Sequence, residues 1–244
     1  MDDAVKSKEE NNLHRVCFVS SITLAVVTVI TFVIAFNTEP ISGPLAQGMV
    51  VQYPYTDIIS RFPQDYYWMY PAMLLMLVFV IYMVGIDRFA PANRIVFSRI
   101  ALALACLAAG IIFIDYFIQV TVIQPSLIKG EFESIAILSQ YNPHGIFIAL
   151  EEAGYLIMSI SILFLAPVFV SFGRIGKKMR LIAALGFILT IVSLIAISAI
   201  YGIEREYIFE ITVIAIDYLV LTLLGILSAV FFRNAGKGNK LAGI

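Results

Sequence analysis

Residues 15–36 read RVCFVSSITLAVVTVITFVIAF, and after Arg15 the run holds 21 residues without a charged side chain. At about 1.5 Å per residue, a helix of that length covers the roughly 30 Å of hydrocarbon in a bilayer. The polar, mixed-charge residues 1–14 come before it, and the apolar block is too long for the core of a cleaved signal peptide, so it is expected to stay as a first membrane span. Five more apolar blocks follow, at about 68–86, 95–123, 144–172, 181–202 and 207–232. The expected fold class is therefore all-α: a polytopic transmembrane six-helix bundle. A cytoplasmic segment (1–14) would precede the transmembrane domain (15–232) and a cytoplasmic tail (233–244) would follow it.

Composition agrees with this division. The 244 residues are 61% hydrophobic and 14% charged, with a mean hydropathy of +0.94. Soluble domains hold about 25% charged residues, so this chain has too little polar material for a water-facing surface and no length left for a separate soluble domain. Cys17 and Cys106 lie in apolar blocks without CxxC spacing and read as buried, inert thiols. Breakers separate the blocks: Pro40, Gly43 and Pro44 after the first, Pro91 after the second, Pro125 after the third, Gly173 and Gly176 after the fourth.

Orientation is read from the basic residues, which collect on the cytoplasmic side of membrane proteins. Lys6, Lys8, Arg15, Arg88, Arg94, Arg99, Arg174, Lys177, Lys178, Arg180, Arg233, Lys237 and Lys240 fall at the termini and the even-numbered connections; only Arg61, Lys129 and Arg205 fall on the other side. Both termini are thus expected in the cytoplasm and the chain in the plasma membrane. Of the two long outer connections, 37–67 ends in Tyr66, Tyr67, Trp68 and Tyr70 and reads as an interfacial aromatic belt. The other, 124–143, carries Leu127, Ile128, Phe132, Ile135 and Leu138 and reads as a short helix lying on the outer surface.

An ionisable group at the centre of a spanning helix costs about 2.5–3.5 kcal/mol on insertion scales, so such groups are rare and usually functional. Asp115 in the third span, Glu151 and Glu152 in the fourth and Asp217 in the sixth are of this kind, with Glu210 nearer the outer mouth. Counted from the outer ends, Asp115, Glu151 and Asp217 lie ~12–15 Å deep, at nearly one level. Asp115 lies close to the small-residue ladder Ala101, Ala105, Ala109, which marks a packing face. His144, Ile148, Glu151 and Tyr155 share one stripe, and Glu210 and Asp217 share another. Asn142 and Pro143 suit a helix start, whose positive dipole end would face the same mouth.

No Lys or Arg is expected at this depth, so the carboxyls must hold protons or an exogenous cation. Tyr116, Gln119, Tyr155 and Tyr218 are candidate hydrogen-bond partners. An outward-facing acidic pocket is expected from Asp115, Glu151, Glu152, Asp217, Gln119, Tyr116, Tyr155 and Glu210. His144 is a candidate metal ligand, since carboxylates with one imidazole suit a hard or borderline cation. The bland alternative is a protonated, purely structural network. Two histidines and no paired thiols argue against haem, di-metal or structural zinc centres. GxSxG and HExxH are absent, and Glu151-Glu152 lacks the arginine of the Glu-Glu-x-x-x-Arg signature, Leu156 standing there instead.

Residues 61–71 (RFPQDYYWMYP), Asp115 to Gln119 with Gln124 to Leu127, and Tyr141 to Gly145 through Glu151 resemble prokaryotic six-helix integral membrane proteins of unknown function. The resemblance covers spans 2 to 4, implies a bacterial or archaeal plasma membrane and brings no activity with it. Three functions fit the residues. The favoured one is binding or transport of a cation, proton or small cationic solute. The others are an enzyme acting on a lipid or isoprenoid, and a substrate-binding subunit or receptor working with a partner. Membrane lipids and a small ion or solute are the expected partners, a homo-oligomer or partner subunit is allowed for, and nothing suits nucleic acid.

Overall fold

A computed structural model describes residues 2–38, 51–133 and 135–241, with side chains over 11–38, 51–133 and 135–235. Among these residues the chain is helical, without strands. Six long helices are α1 (Asp2–Phe36), α2 (Met69–Asp87), α3 (Ile95–Ile118), α6 (Ile146–Leu165), α7 (Gly173–Tyr201) and α8 (Tyr207–Leu241). Two short ones, α4 (Gln124–Lys129) and α5 (Ile135–Leu138), lie between α3 and α6. Each long helix contains a stretch apolar and long enough to cross a bilayer. By length and composition they mark a multi-pass membrane protein.

Hydroxyls in α1 show how such a helix tolerates polar side chains. Ser20, Ser21, Thr28 and Thr31 donate to carbonyls three or four residues back, at 2.6–3.1 Å. These four hydroxyls thus satisfy their donors within the helix, where water is absent.

The helices close into a ring in the order α1, α2, α3, α6, α7, α8, with α8 returning to α1 and α6 also touching α8. α7 is the outlier: only 17% of its apolar window is buried, against 50% for α6 and α8, so it props the α6–α8 seam from outside. Ala101, Ala105, Ala108 and Ala109 are buried where α3 meets α6, and the Ser161 hydroxyl donates to the Ala101 carbonyl at 2.7 Å. That distance requires the two backbones to run close, which small side chains permit.

Several boundaries differ from the sequence reading. Pro125 does not end the third span. The chain passes through a π-helical turn (Gln119–Ile123) into α4, with Pro125 in its first turn. A proline lacks the N–H that a helix interior needs, and the widened turn takes up the mismatch. α4 stops at Gly130, whose φ of +74° is left-handed; the Glu131 N–H closes back on the Ser126 carbonyl at 2.9 Å. The outer segment expected to lie on the membrane instead caps the bundle, with Leu127 and Ile135 buried in its core. The basic 173–180 connection is the first part of α7, and residues 2–14 and 233–241 extend α1 and α8. The break expected at Pro40, Gly43 and Pro44 lies outside the described residues.

Candidate functional site

At the end of the bundle away from both termini, a cavity of about 390 Å³ opens between α1, α6 and α8. Phe32, Ala35 and Phe36 form one wall; Trp68, Tyr141 and Phe147 stand over it; Ile211, Ile214, Ala215 and Tyr218 form the opposite wall. Among the described residues the lining carries two acidic groups, Glu151 and Glu210, and no Lys, Arg or His. Glu151 is 0% exposed and Glu210 9%, and their carboxyls face each other within hydrogen-bonding reach.

Glu151 is held by a directed chain of phenols. The Tyr116 hydroxyl donates to Glu151 Oε1 at 2.6 Å. Its single proton is then committed, so in its 3.0 Å contact with Tyr155 the Tyr116 oxygen accepts. By the same logic Tyr155 accepts from Tyr218 at 3.2 Å. Three O–H dipoles from α8, α6 and α3 thus line up toward one carboxyl oxygen, and each strengthens the next. The edge of Trp68, 5.0 Å away at 77°, and Phe147, 5.9 Å away, hold the Tyr116 ring in place. The other Glu151 oxygen, Oε2, is buried without a hydrogen-bond partner among the described residues.

Asp115 is 2% exposed and Asp217 1%, and neither lines the cavity. Asp115 sits near enough to Glu151 for the two charges to repel. Asp217 ends a second relay: Ser159 donates to its Oδ1 at 2.6 Å, and Thr190 on α7 bonds the Ser159 oxygen at 3.0 Å. One oxygen of each aspartate, Oδ2, is buried without a hydrogen-bond partner among the described residues. The structure therefore brings Glu151, Glu210, Tyr116, Tyr155 and Tyr218 together and sets Asp217 beside Ser159.

Three expectations need correcting. Glu152 has a protein cation after all: Arg205 hydrogen-bonds its carboxyl. Arg205 belongs to the turn Gly202–Arg205, which carries it back across α6 with its guanidinium over the Phe209 ring. Gln119 does not reach the acids. Its Nε2 donates to the Leu138 carbonyl at 2.5 Å and its Oε1 accepts from the Gln140 N–H at 3.2 Å, bracing the segment that caps the bundle. His144 does not share a stripe with Glu151, because α6 begins at Ile146, after a Gly145 cap in extended conformation. Asn142 accepts from the His144 N–H at 2.9 Å and donates to the Ala136 carbonyl at 2.6 Å. His144 converges instead with Glu204 and Glu206, all three offering ligand atoms within 4.8 Å of one another. Among the described residues these three form a set whose ligand atoms could hold a metal ion.

One residue missed in the sequence is Asp65, buried ahead of α2. Its Oδ2 accepts from Tyr141 at 2.6 Å and from Arg61 Nε at 2.9 Å, tying the α1–α2 and α3–α6 connections together above the cavity. The Asp65-Tyr66-Tyr67-Trp68 run gave one signal, an acid inside an aromatic belt where only rings were expected.

The fold and cavity define a six-helix membrane protein with a pocket at one end. No protein-family model, curated protein or solved structure matches the chain.

Proposed function

We propose that this chain binds a cation or small cationic solute in the cavity beside Glu151 and Glu210 and carries it across the plasma membrane. Both termini lie in the cytoplasm and the cavity faces outward. One observation carries the reading: Glu151 is fully buried, faces the cavity beside a second acid, Glu210, and shares that lining with no Lys, Arg or His among the described residues. A buried carboxylate without a counter-ion is costly, and an incoming cation supplies what the chain withholds there. The outward mouth is supported by the thirteen basic residues at the opposite end.

Thermal unfolding of detergent-purified protein, titrated with cations and with pH between about 5 and 8, tests the proposal. Wild type is expected to gain stability with a cation, and Glu151→Gln to fold but lose the gain. A wild type indifferent to every cation and to pH overturns it. Product formation from extracted lipid, lost in Glu151→Gln, would replace it with the enzyme reading.

A further inference from the structure

Resting on that reading of the cavity, we infer that its ligand is an organic ammonium with an apolar body, not a bare metal ion. A metal ion asks for six or more oxygen ligands in a tight shell, or about four nitrogen, sulfur or oxygen ligands for zinc. The cavity wall offers the carboxyls of Glu151 and Glu210 and one Gln140 amide; Tyr207, Tyr218 and Tyr141 engage protein partners. Thr38 adds a hydroxyl that donates to the Ile34 carbonyl and Trp68 an indole N–H; the remaining lining side chains are hydrocarbon. A volume of about 390 Å³ is many times what one ion fills, and lies in the range of small-molecule pockets, roughly 300–1,000 Å³.

The distribution of groups is equally telling. The acids stand together on facing turns of α6 and α8, while Phe32, Phe36, Trp68 and Phe147 surround the remaining space. Aromatic faces attract ammonium groups and accommodate the alkyl or aryl group attached to them, whereas they replace little of the hydration shell of a small hard ion. The ammonium head would sit against Glu151 and Glu210, with its body among the four rings. The adjacent Asp115 carboxyl adds negative potential behind Glu151, which favours any cation without choosing its shape.

The chain contains a single tryptophan, and it is Trp68, in the cavity wall. Its emission therefore reports binding directly in unmodified full-length protein. Phenethylammonium and tetrapropylammonium are the probes; 3-phenylpropanol is the neutral control, and NaCl, KCl, MgCl2 and CaCl2 are the ionic controls at matched ionic strength. The expected result is a saturable change in Trp68 emission and a rise in Tm with at least one ammonium, absent with the neutral analogue and the metal salts. Affinity should drop at least tenfold in Glu151→Gln and in Ile214→Trp, which fills the cavity; emission in the latter is replaced by the Tm readout. If Glu151→Gln fails to run monodisperse, Glu210→Gln and the neutral analogue carry the comparison. Metal ions that stabilise wild type but not Glu151→Gln, while ammonium probes do nothing, overturn this inference and leave the cation reading standing; metal stabilisation equal in both proteins belongs to His144, Glu204 and Glu206 and overturns both. Silence toward every cation overturns both. An equal response from wild type and Glu151→Gln marks partition into the micelle and overturns the inference.

Discussion

Tyr141 does two things at once. Its ring lines the cavity and its hydroxyl donates to buried Asp65, which Arg61 also holds. Burial, with Tyr66 and Asp65 close by, pushes its phenol well above the ordinary tyrosine range, so the hydroxyl remains a donor at any ordinary pH. The sign follows. The folded state keeps a proton that the unfolded chain gives up near pH 10, so this contribution is whole below about pH 10 and declines above it, by up to ~1.4 kcal/mol per pH unit. Tyr141→Phe strips Asp65 of a donor and should cost about 1–3 kcal/mol at neutral pH. It should also flatten the alkaline decline by about one proton's worth; Tm measured between pH 7 and 11 checks both. At this scale the sequence was legible where chemistry alone decides. Acids in apolar blocks had to be buried inside the bundle, and Glu151 on one stripe with Tyr155 follows from helical phase. Pairings that depend on a turn's path were hidden. Arg205 counted as an outer-loop charge until the 202–205 turn brought it to Glu152, and His144 meets Glu204 and Glu206 across about sixty residues of sequence.

The seam between α1 and α8 shows what whole helices require of one position. A Cβ on Gly225 would stand 2.7 Å from the Ser21 carbonyl oxygen and 3.0 Å from the Ala25 Cβ. The first of these is backbone, so the helices themselves would have to separate. Gly225→Ala should therefore destabilise by ~1–3 kcal/mol. Gly110 on α3 is the contrast: a Cβ there meets nothing within 4 Å, and Gly110→Ala should gain about 0.5–1 kcal/mol from helix propensity alone. Opposite shifts in Tm for the two variants check the pair, and equal shifts would show that the seam is not close-packed. The element boundaries were less legible than the elements. A run of apolar residues announces a span, but Arg174 to Arg180 looks like a loop by polarity. It is helical because Lys, Arg and Met are good helix formers that carry α7 on past the apolar stretch. The π turn before Pro125 left no mark in the hydropathy pattern, since its residues are as apolar as those around it.

On the scale of the whole molecule, six crossings put both ends of the chain on one side whichever way it inserts; the side itself is decided by charge. The cavity lies at the end formed by the C-terminal turn of α1 and the first turns of α6 and α8, opposite the basic cluster that begins α7. The positive-inside preference therefore ties two questions together: wherever Lys177 faces, the cavity faces away. Single cysteines read this out against a quiet background: Cys17 is buried as expected, and Cys106, expected to be buried, is instead exposed along an apolar stretch of α3, where a charged reagent would have to enter the hydrocarbon. Glu131 and Lys177 are both exposed, on opposite ends of the bundle. In intact cells a membrane-impermeant maleimide should label Glu131→Cys and leave Lys177→Cys untouched until the membrane is permeabilised. The reverse pattern would turn the mouth of the cavity to the cytoplasm. Glu151 would then meet cations from inside the cell, and uptake from outside would give way to export as the direction the geometry serves.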